Sequence, residues 1–155
     1  MGLRITLDSS VIVKWFKKGE EFEEEALKLR DDVLSGVVSP IISEWVYLEV
    51  IRALIKTGFP RVKVNEAYDT LRDMAEFGFI EVISVTSLLD KAKELMIELN
   101  LYASDAVNLS SALMSSTDIL SEDKHLLRRP VRDFMRKAGL KVLRLTDIYP
   151  GGTKV

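Results

Sequence analysis

Leu3-Arg4-Ile5-Thr6-Leu7-Asp8-Ser9-Ser10 opens on a strict alternation of apolar and polar residues and stops at an acid followed by two serines. A period of two marks a strand with one buried face, and Asp-Ser is a helix N-cap signal. The stretch therefore predicts a strand that hands over directly to a helix. The same hand-over recurs along the chain. Val37-Val38-Ser39 reads as a short strand, and Pro40 then predicts a long apolar helix running to Lys56, with Gly58 just past its end. Residues 79–85 read as a strand ahead of helices over 87–99 and 104–115. Ile119-Leu120-Ser121 is a short strand before a basic helix from Asp123 to Ala138, and residues 140–145 are the last strand. Charged and amphipathic helices over 20–34 and 61–77 close on Gly36 and Gly78. Strands alternating with helices imply an α/β fold, a three-layer α/β/α sandwich with a central parallel sheet. Residues 1–148 are expected to form a single domain, and residues 149–155 a flexible tail.

The composition narrows the chemistry. With no cysteine, disulfides, thiolate zinc sites and cysteine nucleophiles are excluded, and a single histidine, His125, excludes a zinc site built on two imidazoles. Lys and Arg number 22 against 24 Asp and Glu, a net charge of −2 that leaves any nucleic-acid contact to local patches. No apolar run approaches the ~20 residues that span a membrane. Met1-Gly2-Leu3-Arg4 has no signal-peptide pattern, so a cytoplasmic location is expected. The absence of glutamine, with only three asparagines, beside many Lys, Glu and Arg fits a thermophile source.

Most acids have an ordinary reading; Glu20 to Glu25 form a solvated helix start favoured by the macrodipole. Four others stand out. Asp8 and Asp123 each follow a strand and precede a helix, so each reads either as an N-cap or as an acid facing a shared crevice beyond the sheet. Glu49 falls on the apolar stripe of Ile42, Trp45, Val46 and Ala53, where a carboxylate needs a partner. An ion pair to Arg52 or Lys56 would supply one, and Glu44, with Leu48, Ile51 and Ile55, competes from the opposite face. One of these faces is also a candidate subunit contact. Asp105 shares a helix side with Leu109, Ala112 and Leu113, and reads as an inward acid or a first-turn acid. Asp118 starts its strand and reads as structural.

Clustered carboxylates repel one another unless a cation lies among them. An oxygen-only donor set favours hard ions, Mg²⁺ or Mn²⁺, and such ions suit phosphodiester hydrolysis.

The residues around these acids resemble the PIN-domain nucleases, particularly toxins of the VapC type. Leu7-Asp8-Ser9-Ser10 through Phe16 resembles their opening motif, and Ser39-Pro40 through Leu48-Glu49-Val50 to Leu54 the second. Ser104-Asp105-Ala106-Val107-Asn108-Leu109 resembles the third, and Ile119-Leu120-Ser121-Glu122-Asp123-Lys124 the fourth. Order and spacing match from about Leu3 to Leu145. The resemblance implies a metal-dependent ribonuclease, commonly a homodimer, often held inactive by a small antitoxin protein. It assigns catalysis and Mg²⁺ or Mn²⁺ binding to Asp8, Glu49, Asp105 and Asp123, and favours Glu49 over Glu44. Ser10 and Ser121 would orient those carboxylates. Glu122 adds a charge that the motif does not require.

Other features have two readings each. Residues 124–137 are strongly basic, and Lys124, Arg128 and Arg129, with Lys14 near the first motif, are candidates to grip an RNA backbone; the alternative is an ordinary solvated helix face. Lys17 and Lys18 share that reading. His125 is either a proton donor or incidental, and Trp15 and Phe16 read as core or interface. A haloacid-dehalogenase-type phosphatase needs a second Asp at the position of Ser10, and a receiver-like module needs an acidic pair by the first strand; neither is present. The remaining rival is a catalytically silent PIN fold that binds RNA or protein.

Overall fold

The computed structural model describes residues 2–151, and the alternating stretch forms β1, Leu3–Leu7, at the centre of a five-stranded sheet. The other strands are β2 (Val38–Ser43), β3 (Glu81–Ile83), β4 (Ile119–Leu120) and β5 (Val142–Leu143), in the order β3-β2-β1-β4-β5. Every pairing is parallel, with Ile5 opposite Pro40, Leu7 opposite Leu120 and Ser43 opposite Ile83.

The helices are α1 (Ser9–Ile12), α2 (Glu23–Leu34), α3 (Trp45–Lys56), α4 (Arg61–Glu76), α5 (Leu89–Leu99), α6 (Ala103–Ser115), α7 (Arg129–Lys137) and α8 (Leu145–Ile148). Parallel crossovers are right-handed, so those stepping one way across a sheet lie on one face and those stepping back lie on the other. From β1 the chain steps to β2 and β3, then returns past β1 to β4 and β5. One core accordingly packs Ile5, Leu7, Ile42 and Leu120 against α1 to α4 and α8. The second packs Ile119 and Val142 against α5, α6 and α7. This is an α/β/α sandwich. The strand order reverses between β1 and β4, the position where ligands bind open α/β sheets. Among the described residues no helix is long and apolar enough to cross a membrane.

Several boundaries differ from the sequence reading. Pro40 does not open a helix: β2 runs through it to Ser43, and α3 begins only at Trp45. At Pro40 the strand pairs with β1 alone, because pairing with β3 starts at Ile41 opposite Glu81. A residue lacking an N–H is tolerated where a strand has a free side. Ile42 is therefore a strand residue and shares no helix stripe with Glu49.

The basic helix expected from Asp123 starts at Arg129. Asp123 Oδ1 instead accepts the backbone N–H of His125 (2.8 Å), an Asx turn, and Arg128 is extended ahead of a first turn containing Pro130. The strand expected over 79–85 shrinks to Glu81–Ile83, and the one over 140–145 to Val142–Leu143, followed by α8. Tyr149, at the head of the expected tail, is half-buried and donates from its hydroxyl to Asp32 Oδ2 (2.6 Å). Residues 152–155 of that tail lie outside the described residues.

Candidate active site

Asp8 leaves β1 with only 1% of its surface exposed, and its backbone N–H is bonded to the carbonyl of Leu120 in β4 (3.0 Å). It does cap α1, accepting from the Ser10 N–H at 3.3 Å, but that is the smaller part of its environment. Ser10 Oγ donates to Oδ2 at 2.6 Å and Ser121 Oγ at 3.1 Å, while Asn108 Nδ2 donates to Oδ1 at 2.9 Å. Both hydroxyls also accept from the loop after β4. The N–H of Glu122 donates to Ser10 Oγ (2.9 Å) and that of Asp123 to Ser121 Oγ (3.0 Å). The two serines thereby lock the loop carrying Asp123 to the carboxylate of Asp8.

Glu49 and Asn108 face each other from α3 and α6. Nδ2 of Asn108 donates to Glu49 Oε1 at 2.8 Å as well as to Asp8, and Oδ1 of the same amide accepts from Ser43 Oγ at 2.8 Å. One buried amide therefore holds two carboxylates together. The ion pair considered for Glu49 with Arg52 or Lys56 does not form. Glu44, the competing acid, is exposed at the head of α3 and accepts from the Val85 N–H. Asn108 and Ser43 escaped the sequence reading. The available signal was spacing: Asn108 lies three residues after Asp105, on the same helix face.

Asp105, in the first turn of α6, is 4% exposed and accepts no side-chain hydrogen bond among the described residues. Burial, then the charges of Asp123, Asp8 and Glu49, push its carboxyl up to about 7, with Arg128 opposing. Burial and then Asp8 push Glu49 up to about 7, against the bonds from Asn108, Ser9 and Ser104. Asp8 is also raised, by burial first, with Asp123 adding to it against the bonds from Ser10 and Asn108. Four carboxylates from the ends of β1 and β4 and from α3 and α6 thus act on one another at the switch point of the sheet. None takes part in an ion pair among the described residues.

The other acids are satisfied elsewhere. Glu122 turns away to Arg144 (2.7 Å) and the N–H of Leu145 (2.8 Å), and Asp118 accepts from the N–H of Lys141.

The basic candidates separate. Lys14 is buried, donating from Nζ to the Glu21 carbonyl (2.7 Å), so its expected contact with RNA is corrected to a structural role. Its buried ammonium is satisfied by that carbonyl, with Glu20 at 4.0 Å. Lys124 is exposed, and Arg129 is exposed beside Asp133 (3.7 Å). Arg128 donates to the carbonyls of His125 and Leu99 and lines a pocket with Asp105. Trp15 is core.

No group of three or more histidine, aspartate or glutamate side chains among the described residues is arranged to hold a metal ion as it stands. The donors nonetheless suit a hard cation: all are carboxylate oxygens, none is ion-paired among the described residues, and Glu49 and Asp105 are pushed up to about 7 by burial first and then by neighbouring carboxylates.

A family model described as PIN domain matches residues 5–132. The chain belongs to the PIN domain family. Two solved structures share this PIN fold. A toxin–antitoxin complex from Klebsiella pneumoniae has a chain 16% identical, with a TM-score of 0.55, covering 82% of this chain and 93% of its own. VapBC2 from Rickettsia felis, bound to a DNA fragment from its promoter, has a chain 16% identical, with a TM-score of 0.57, covering 92% and 97%. A comparison with curated protein sequences returns no match.

Proposed function

We propose that this PIN domain is a metal-dependent endoribonuclease, the toxin of a toxin–antitoxin pair, acting in the cytoplasm. The observation carrying the reading is the grouping of Asp8 with Glu49 through Asn108 and with the Asp123 loop through Ser121, Asp105 lying within reach of their charges, with none of the four ion-paired among the described residues. These four would hold Mg²⁺ or Mn²⁺, which when bound neutralises charge at the scissile phosphate and makes a bound water more acidic. The protein's own part is positional. Ser10 and Ser121 fix Oδ2 of Asp8, Asn108 sets the spacing between Asp8 and Glu49, and the serine-locked loop carries Asp123 to the same place. Arg128, which lines a pocket with Asp105, and the exposed Lys124 and Arg129 would contact RNA phosphates.

The antitoxin reading draws on the two neighbouring structures, both of toxin–antitoxin complexes. Leu48, Ile51 and Ile55 form a stripe along α3, with Leu48 and Ile55 exposed, and support a homodimer. A silent RNA- or protein-binding module is the second reading. It is favoured by Asp8 and Glu49 being tied to Asn108.

Cleavage of a structured RNA by the purified protein with Mg²⁺, Mn²⁺ or EDTA, run beside Asp105→Asn, tests the proposal. Cleavage by the wild type alone, abolished by EDTA, supports a metal nuclease. Failure of the wild type to bind either ion in calorimetry leaves the binding module. A short open reading frame just upstream, whose product co-purifies and blocks cleavage, would support the toxin.

A further inference from the structure

Glu122, the extra acid of the fourth motif, lies between Ser121 and Asp123, and its backbone and side chain bond in different directions. Its N–H donates to Ser10 Oγ (2.9 Å), on the side of the acid cluster. Its carboxylate, on a side chain only 7% exposed, is held by the chain after β5. Oε1 accepts from Arg144 Nη2 (2.7 Å) and Nε (3.1 Å), and Oε2 from the N–H of Leu145 (2.8 Å), the first residue of α8. Arg144 is fixed in turn. Its N–H donates to Asp147 Oδ2 (2.8 Å), and its guanidinium stands 5.3 Å from the centre of the Phe22 ring.

β4 ends at Leu120, and the bond from the Ser121 N–H to the Leu143 carbonyl (2.9 Å) carries the sheet one residue further. Beyond it the N–H groups of Glu122 and Asp123 go to the hydroxyls of Ser10 and Ser121. A hydroxyl rotates to suit its partners, so two serines by themselves hold this segment loosely. A buried carboxylate gripped by an Arg fork and a main-chain N–H is a directional anchor. A buried ion pair is weak evidence for stability, since apolar residues of similar volume commonly do as well. What it supplies here is a fixed position for residues 121–123, held by the serines on one side and by Arg144 and α8 on the other.

Taking the four acids as a metal site, as proposed above, we infer that Glu122 and Arg144 form a positioning pair that sets Asp123 against Asp8. Neither residue of the pair binds the cation; both act through the main chain on either side of Glu122. α8 and the Phe22 ring are then part of the frame of the site, although they bring no ligand to it.

The test combines Mn²⁺ calorimetry with amide hydrogen exchange on the full chain. Arg144→Ala removes the anchor, and Glu122→Gln/Arg144→Gln removes it without leaving a buried charge unpaired, so the second variant carries the test if the first fails to fold. Each should weaken Mn²⁺ binding about tenfold or more, as loss of a group that orients a ligand does. Each should also speed exchange of the Glu122 and Asp123 amides at least about tenfold relative to those of β1. In an Asp123→Asn background the same changes should cost no further Mn²⁺ affinity, because residues that act through one another are not additive.

Equal losses of affinity with and without Asp123 would overturn the inference and leave the pair a general support of the fold. Unchanged affinity and unchanged exchange would also overturn it. Mn²⁺ binding that is lost in Asp105→Asn but kept in both anchor variants would retain the metal site and remove the pair from it. A wild type that binds no Mn²⁺ would remove the metal reading instead. Faster exchange at Glu122 and Asp123 would then still support the pair as what sets Asp123 in place, and unchanged exchange would overturn it.

Discussion

Replacing Asp105 by Asn should stabilise the metal-free protein, and the size of the gain should depend on pH in a defined way. The carboxyl is 4% exposed, has no hydrogen-bond donor among the described residues, and feels the charges of Asp123, Asp8 and Glu49, which Arg128 only partly offsets. Its folded-state value rises from 3.8 to about 7. At about 1.4 kcal/mol per tenfold change in proton affinity, ionising it in the folded protein costs at most about 4 kcal/mol. Water reaching the rim of the site brings the expected gain to about 2–3 kcal/mol.

The sign follows from linkage. A carboxyl whose value is raised on folding leaves stability intact below its unfolded value and removes it progressively as pH rises through the folded one. The Asn variant should match the wild type near pH 3.5, pull ahead between about pH 4 and 7, and keep a constant lead above that. Urea unfolding in EDTA at several pH values between these limits measures it. Adding Mg²⁺ at pH 8 should then close the gap, because ligand at 100 times its Kd stabilises the wild type by about 2.7 kcal/mol. A variant no more stable than wild type at pH 8, or a lead that does not change with pH, would refute the argument that this charge is buried among like charges that Arg128 does not balance.

Asn108→Ala should destabilise the fold by about 2–4 kcal/mol at pH 8, since it leaves Asp8, Glu49 and Ser43 without their shared partner; thermal unfolding at pH 8 and pH 5 checks it, with the smaller loss at the lower pH. Ser121→Ala removes a donor to Asp8 and an acceptor for the Asp123 N–H, and should weaken Mn²⁺ binding about 10–100-fold in calorimetry while costing about 1–2 kcal/mol of stability. Calorimetry on the wild type should give a Tm above about 65 °C, the upper end of the mesophile range, if the scarcity of amides reflects a hot source.

Local pattern carried much of the fold. The alternation in Leu3–Leu7 signals a strand and the Asp8 cap a helix start, both from neighbouring residues, whereas burial of Thr6 beside Ile5 and Leu7 follows from helices covering both faces of the sheet. The same holds for α4, expected over 61–77 and observed as Arg61–Glu76. Errors arose where a neighbour in space overrode local preference. Pro40 signals a helix start by itself, yet its backbone continues a strand paired on one side with β1. The chain after Asp123 has helical composition, yet its side chain bonds its own backbone two residues on.

The candidate site divides along the same line. Asp8 and Asp123 were visible as acids at strand ends, and Glu49 and Asp105 as acids on faces that should be apolar, because each conflicts with its immediate surroundings. No local property says that β4 pairs with β1 rather than with β3, and only that order places Asp8 and Asp123 on either side of one crevice. Nor could spacing along α3 decide whether Glu49 pairs with Arg52 or with Asn108. That choice depends on α6 lying across the sheet, where a buried carboxylate is better served by a fixed amide than by a solvated cation. Arg52 and Lys56, without an ion-pair partner among the described residues, are left on the exposed side of α3 by that tertiary choice.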